Sequence, residues 1–370
     1  MKTPLISTTA FALMVSMAAT TALAEDIRIV SWNASPNFAE ALSNRLSDFS
    51  DLDADLQPDI LILVETGGDL EVRMIAEQLG WEDFTAVTSN WAIADKNVFF
   101  SLEAAVISRI PIVQVVEYDA SPDGHHEVFG PEGDIPGLVS EEILTADGIV
   151  GFGDTLAKTD RGTMRVDLEN GLSIFPLHLK SNRNSACSDL STALRTMNRL
   201  GFTIDPNATM APDAGFEGAT LAHLSNAAKR ERVMAATARI AASVVQDGRV
   251  PVIAGDMNTS FEPGKAGTAV EDCELQEFTC DRAPFPASAC TGADGFDDTL
   301  GMLTAGLIAE QIWTVLTEGL GRTYDSTDFS DLAIDHFAVP VEVSDSFSTA
   351  TKADRVYGSD HFPIITVYSE

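Results

Sequence analysis

The chain is 370 residues long and 45% hydrophobic, with 56 acidic against 23 basic side chains and a formal charge of −33. That hydrophobic content is ample for a packed core. The charge argues against an electropositive nucleic-acid groove and suits a soluble protein in a saline or divalent-rich exterior.

Residues 1–24, "MKTPLISTTAFALMVSMAATTALA", have an early lysine, a short apolar run and the small-residue exit "ALA". This is the pattern of a secretory signal peptide with cleavage expected after Ala24, and a secreted or periplasmic location follows. The run is too short and too rich in Ala and Thr to span a bilayer, and no other stretch reaches about 18 apolar residues. Residues 25–370 are expected to form one domain, since no low-complexity linker divides them.

From there strands and helices alternate. "DIRIVSWNAS" (26–35) reads as a strand with a polar tip, and "FAEALSNRLSDFS" (38–50) has helical spacing. "PDILILVET" (58–66) is a buried strand punctuated by one acid, and "DLEVRMIAEQLGW" (69–81) is a second amphipathic helix. "EAAVISRIPIVQVVEY" (103–118) is a strand, a turn at Pro111 and another strand. "RGTMRVDLENGLSIFPLHLKS" (161–181) is a hairpin turning at Glu169-Asn170-Gly171. "NAAKRERVMAATARIAASVVQ" (226–246) is a long helix leading into "VPVIAGDMNTS", and "LAIDHFAVPVEV" and "DHFPIITVYS" supply two more strands. Residues 119–160, 185–222 and 262–298 break the rhythm with Gly, Pro and polar residues, and are read as loops or insertions.

Four cysteines, Cys187, Cys273, Cys280 and Cys290, favour disulfides in an oxidising compartment. Three pairings are open. Each joins Cys187 to one of the clustered three and bridges the other two. Without a C-x-x-C pair or nearby histidines, a zinc site is the weaker reading.

Polar residues recur where strands end. Asn33 closes the first strand and Glu65 the second, His178 ends the hairpin, and Asp256 and Asn258 close "IAGDMN". Asp335 lies in "AIDHF", and Asp360-His361 open the last strand in "YGSDHFPI". Any one alone would be a turn former or a satisfied core group. Together, the oxygen ligands suit Mg²⁺, Mn²⁺ or Ca²⁺, and the imidazoles suit acid–base work on an oxyanion. That set fits metal-assisted phosphoester hydrolysis.

"SWNAS", "DILILVET", "HLKSN", "IAGDMNT", "AIDHF" and "YGSDHFPI" occur in the order found in the endonuclease/exonuclease/phosphatase superfamily, which the chain resembles over nearly all of residues 25–370. The resemblance implies an α/β fold, a four-layer sandwich of two mixed sheets flanked by helices, with the site where the sheet ends meet. It also implies metal ligation by Glu65, with Asn33 and Asp360 supporting. Asp256 would handle the attacking water, with Asn258 its partner on the phosphate. His361 would contact the phosphoryl oxygen or assist the leaving group, oriented by Asp335, and His178 would be a second phosphate-facing histidine. Arg161, Lys180 and Asn182 are further candidates near the phosphate. His336 falls on the other sheet face by alternation and is expected to be structural.

Other signals are set aside. "DLDADL" (51–56) resembles the start of a calcium loop but has Leu56 and Ile62 where glycine and glutamate are needed. "PGKAG" is no phosphate loop, and no serine nucleophile elbow is present. His125 and His126 lie among acidic and turn residues and read as a solvated pair. The expected activity is an exported, monomeric, metal-dependent phosphoesterase favouring small or lipid phosphoesters. An extracellular nuclease is the runner-up, and an inactive acidic surface module comes third. Lys229, Arg230 and Arg232 cluster on the long helix, away from every motif.

Overall fold

The computed structural model describes residues 26–34, 45–90, 103–119, 127–143, 162–179, 218–259, 299–306, 308–325 and 333–369. The signal-like segment, all four cysteines, Arg161, Lys180, Asn182, His125 and His126 lie outside them. Among the described residues no helix is long and apolar enough to cross a membrane.

The chain begins with β1 (Ile27–Asn33), α1 (Leu46–Leu56), β2 (Ile60–Thr66) and α2 (Asp69–Leu79). β3 (Thr85–Thr88), β4 (Glu103–Ser108) and β5 (Ile112–Asp119) follow, then β6 (Val128–Gly130), β7 (Gly133–Ile135) and β8 (Val139–Ile143). The hairpin strands β9 (Thr163–Leu168) and β10 (Leu172–His178) precede α3 (Gly218–Gln246) and β11 (Val250–Asp256). β12 (Trp313–Val315), β13 (Asp335–Pro340), β14 (Thr351–Lys352) and β15 (Ile364–Tyr368) complete the fold.

Two sheets result. One has eight strands in the order β14-β15-β1-β2-β4-β3-β6-β7, the other seven in the order β12-β13-β11-β10-β9-β5-β8. Their facing sides form one apolar layer that includes Ile29, Ile62, Val64, Val106, Val166, Ile174, Val252 and Phe337. On the outer side of the first sheet, Val30, Leu61 and Leu63 pack against Phe49 and Leu52 of α1 and Val72 and Ile75 of α2. On the outer side of the second, Phe175, Leu177 and Ile253 pack against Met234, Ala238, Ala241 and Val244 of α3. The result is the expected four-layer α/β sandwich. Alternation along β1, β10 and β11, and along β2 as far as Val64, produces it, since each strand sends one set of side chains to the facing sheet and the other to a helix.

Two local expectations change and one between them holds. α1 runs over 46–56 rather than ending at 50, because the buried residues Phe49 and Leu52 carry the helical phase on through "DLDADL". That segment is therefore helix and no calcium loop. The chain turns at Pro111 as expected, and the turn carries it from β4 in the first sheet to β5 in the second. Finally, residues 119–160 are not simply a loop. β6 and β7 form an antiparallel pair that extends the first sheet, and β8 pairs in parallel with β5 at the edge of the second. Strands of three to five residues, with positive φ at Gly133 where β7 begins and at Gly137 between β7 and β8, are too short for alternation to show in the sequence.

Candidate active site

The polar strand ends meet where the two sheets face each other. By alternation Asn33 shares a side of β1 with Ile29, His178 shares a side of β10 with Ile174, and Asp256 shares a side of β11 with Val252 and Ala254. All three therefore point between the sheets. β10 and β11 run in parallel with His178 opposite Asp256, and β13 brings Asp335 opposite Asp256 from the other side.

Glu65 departs from this rule. Ile60, Ile62 and Val64 face the second sheet, so alternation would turn Glu65 toward the helices. A bulge between Val64 and Thr66 and a left-handed φ of 61° at Glu65 bring its carboxylate back between the sheets. A non-glycine residue there is strained, and bulges of this kind re-aim side chains at functional sites. Gly255 is a second special position. Its φ is 142°, and a Cβ there would collide with the Leu177 carbonyl oxygen, so only glycine lets β11 run this close to β10.

Asp256 is the hub. Its Oδ2 accepts from Asn33 Nδ2 at 3.0 Å and lies 3.8 Å from His178 Nε2 and 4.0 Å from His361 Nε2, while Oδ1 accepts from the Asn258 amide at 2.9 Å. His178 Nε2 is also 3.1 Å from Glu65 Oε1. His361 Nδ1 donates to Asp335 Oδ2 at 2.9 Å. Asp256, Asp335, His178 and His361 are all buried, and Glu65 is partly open to solvent.

Burial chiefly holds the Asp256 carboxyl above its ordinary value; the His361 charge opposes this and the Asp335 charge adds to it. For His361, burial works downward. The Asp335 carboxylate and its hydrogen bond, followed by the charges of Asp256 and Asp360, outweigh it and push the ring up to about 10. The site thus pairs a carboxylate with raised proton affinity and an imidazolium stabilised by acids.

The oxygen-rich donor set suits a hard divalent cation. Among the described residues, two groups have ligand atoms within 4.8 Å of one another, Glu65–His178–Asp256 and Asp256–Asp335–His361. Asp360 adds a sharper sign. Its Oδ1 is buried and accepts no hydrogen bond, which is costly for a carboxylate oxygen unless a cation serves it. These residues fit a divalent metal. Of the expected trio, Glu65 falls in the first group, Asn33 joins the same cluster through its Nδ2 bond to Asp256, and Asp360 Oδ1 lies 3.8 Å from His361 Nε2. Asn258 sits at a left-handed φ of 51°, and its Nδ2 donates to the Leu179 carbonyl at 3.1 Å, which ties the ends of β10 and β11 together.

His336 has the structural place expected of it. It is fully buried on the other side of β13, with Nε2 2.8 Å from the Thr259 carbonyl and Nδ1 2.6 Å from Thr317 Oγ1. Residues that the sequence did not single out hold His361. Trp32 Nε1 donates to its carbonyl at 3.0 Å, Ser359 Oγ accepts from its amide at 3.0 Å, and Tyr324 packs edge-on with ring centroids 4.8 Å apart. Thr323 Oγ1 accepts from the Asp335 amide at 3.1 Å. Only Trp32 and Ser359 lie inside quoted motifs; the other two carry no local signal.

The sequence matches no family model and no curated protein. The fold, by contrast, has counterparts among solved structures. An endonuclease/exonuclease/phosphatase from Bacteroides vulgatus superposes over 94% of this chain and 100% of its own, at 10% identity and a TM-score of 0.51. The catalytic domain of APE2 from Xenopus laevis does so over 93% of each chain, at 14% identity and a TM-score of 0.51. With its two packed mixed sheets and its polar cluster at their meeting ends, the chain has the endonuclease/exonuclease/phosphatase fold.

Proposed function

We propose that the chain is a divalent-metal-dependent phosphoesterase that hydrolyses phosphate mono- or diesters by in-line attack of water. The observation that carries this is the convergence on Asp256 of an amide and two imidazoles contributed by both sheets. Asp256, with its raised proton affinity, accepts a proton from water. His361, kept protonated by Asp335, donates to a phosphoryl or leaving-group oxygen, and His178 offers a second imidazole to the same phosphate. Glu65, with Asn33 and Asp360, would hold Mg²⁺ or Mn²⁺, with Ca²⁺ the third candidate; the bound ion would supply Lewis-acid stabilisation of phosphoryl charge and a more acidic water.

The charge of −33 supports small or lipid phosphoesters over a long polyanion, since that excess repels one over about 10 Å at 0.1 M salt. Arg230 strengthens the point. It is buried, so it is no part of a surface basic patch. Export is supported by the pattern of residues 1–24, and the N-terminal sequence of purified native protein should then start at Glu25.

The test is a substrate panel of p-nitrophenyl phosphate, bis(p-nitrophenyl) phosphate, phospholipid vesicles and plasmid DNA at about 0.1 M salt. The reading expects Mg²⁺- or Mn²⁺-dependent turnover of small or lipid esters that chelation abolishes. Efficient plasmid nicking with little action on small esters would replace it with a nuclease. No turnover of any phosphoester with any of the three ions would replace it with a non-catalytic module.

A further inference from the structure

A buried cation stands behind the acidic site. Arg45 directly precedes α1 and is 1% exposed, a burial that arginine almost never reaches without partners. Its Nη1 donates to the Ala34 carbonyl at 2.9 Å and its Nη2 to the Tyr357 carbonyl at 3.4 Å. Nε lies 3.8 Å from Asp48 Oδ2, and the guanidinium is 5.9 Å from the centre of the Trp32 ring.

Both hydrogen bonds fall on segments that carry site residues. Ala34 follows Asn33, and its own amide donates to the Val64 carbonyl beside Glu65 at 3.0 Å. Tyr357 opens the turn that carries Asp360 and His361. Within that turn Ser359 Oγ donates to the Asn33 carbonyl at 2.7 Å and accepts from the His361 amide. The turn is shaped to this fit, with left-handed φ values of 47° at Tyr357 and 75° at Gly358. A Cβ at Gly358 would collide with the Asp48 carboxylate and crowd Arg45 Nε. Arg45 also reaches α2. Burial pushes the Glu71 carboxyl up, and the Gly67 amide and the Arg45 charge pull it part of the way back.

We propose that Arg45 is a positioning residue whose guanidinium clamps the end of β1 to the Tyr357–His361 turn, and so sets where Asn33, Asp360 and His361 stand relative to one another. The clamp needs a planar, permanently charged fork that binds carbonyls of Ala34 and Tyr357, 323 residues apart in the chain; lysine, a single point donor, does not replace it. The catalytic part of the proposal rests on the phosphoesterase reading, and the structural part does not.

Arg45→Lys keeps the charge and removes the fork. Two quantities test it: kcat and KM on bis(p-nitrophenyl) phosphate, and amide hydrogen exchange across the fold. The expected result is exchange at residues 357–361 faster by about tenfold or more, with β9–β10 unchanged. With it, kcat should fall by about ten- to a hundredfold while KM moves by less than about threefold, because a misplaced group costs turnover before it costs binding. A folded variant with wild-type exchange at 357–361, or with faster exchange and wild-type kcat, overturns the proposal. If Arg45→Lys does not fold, Gly358→Ala pushes the turn off an intact Arg45 and must give the same two signatures; wild-type behaviour there overturns it equally. If the wild-type protein hydrolyses no phosphoester, the functional reading has failed, and the exchange comparison still decides the clamp.

Discussion

In the first sheet a parallel pair, β1 and β2, is flanked by antiparallel β15 and β4; in the second a parallel pair, β11 and β10, is flanked by antiparallel β13 and β9. The two halves meet at matching places. Asn33, the last residue of β1, bonds Asp256, the last residue of β11, and Glu65 near the end of β2 faces His178 at the end of β10. The chemistry is not matched. The second sheet presents His178, Asp256 and Asp335 from regular strands, whereas the first needs a bulge to aim Glu65 and a turn beyond its strands to deliver Asp360 and His361. On the proposed function, the second sheet supplies the base, Asp256, from a regular strand. The first supplies the cation ligands Glu65 and Asp360 from a bulge and a turn, where local backbone geometry rather than alternation sets their direction.

The comparison can be broken first at its centre. Asp256→Asn keeps one oxygen to accept from Asn33 or from the Asn258 backbone amide and removes the base, and kcat should fall by about 10³-fold with folding and Mn²⁺ affinity nearly intact. Glu65→Gln should instead weaken Mn²⁺ binding by tenfold or more, read by titration calorimetry. If both variants lose metal equally, the division of labour between the sheets is wrong.

Gly255→Ala tests the close approach of β10 and β11. A methyl group against the Leu177 carbonyl, at a φ of 142°, should cost about 3 kcal/mol in urea unfolding, and a loss below about 1 kcal/mol would show that the strands can part easily.

His336 gives the second half a pH dependence of its own. Burial lowers its pKa to about 4, the hydrogen bond to Thr259 opposing. An unfolded histidine titrates near 6.5, so between those values the unfolded chain binds the extra proton and stability falls as pH falls. The contribution is complete above about pH 6.5 and lost by about pH 4, amounting to about 3 kcal/mol. His336→Gln should flatten the slope of unfolding free energy between pH 7 and pH 4.5 as measured in urea; an unchanged slope assigns the acid sensitivity elsewhere.

The smallest expected effect concerns strain at Glu65. Asn tolerates left-handed backbone better than Glu, so Glu65→Asn should change stability by less than about 1 kcal/mol, in the stabilising direction, despite lost turnover. A large destabilisation would mean that the bulge depends on the Glu65–His178 contact.

Most of the regular half was legible in the sequence. Alternation alone places Asn33, His178, Asp256 and Asp335 between the sheets and His336 on the far side of β13, because each sits in phase with buried neighbours. Glu65 was not legible that way, since period two sends it to the wrong face; only its motif marked it. Likewise β6, β7 and β8 are too short to show a period. Arg45 reads as one basic residue within the helical spacing of residues 38–50, and nothing local reveals that its partners Ala34 and Tyr357 meet there. Contacts made across hundreds of residues leave no local pattern.

The adjacency of β1 and β15 has a consequence in time. The bond from Trp32 to His361 spans 329 residues, which at synthesis rates of about 5–20 residues per second separates the emergence of its two ends by roughly 15–65 s. Throughout that interval β1 has a bare edge where β15 will pair, the kind of edge that recruits stray strands. It also lacks the imidazole that the site requires. An unfinished chain is therefore at its stickiest while its polar cluster is incomplete, and the strand that covers the edge arrives together with the residue that completes the cluster.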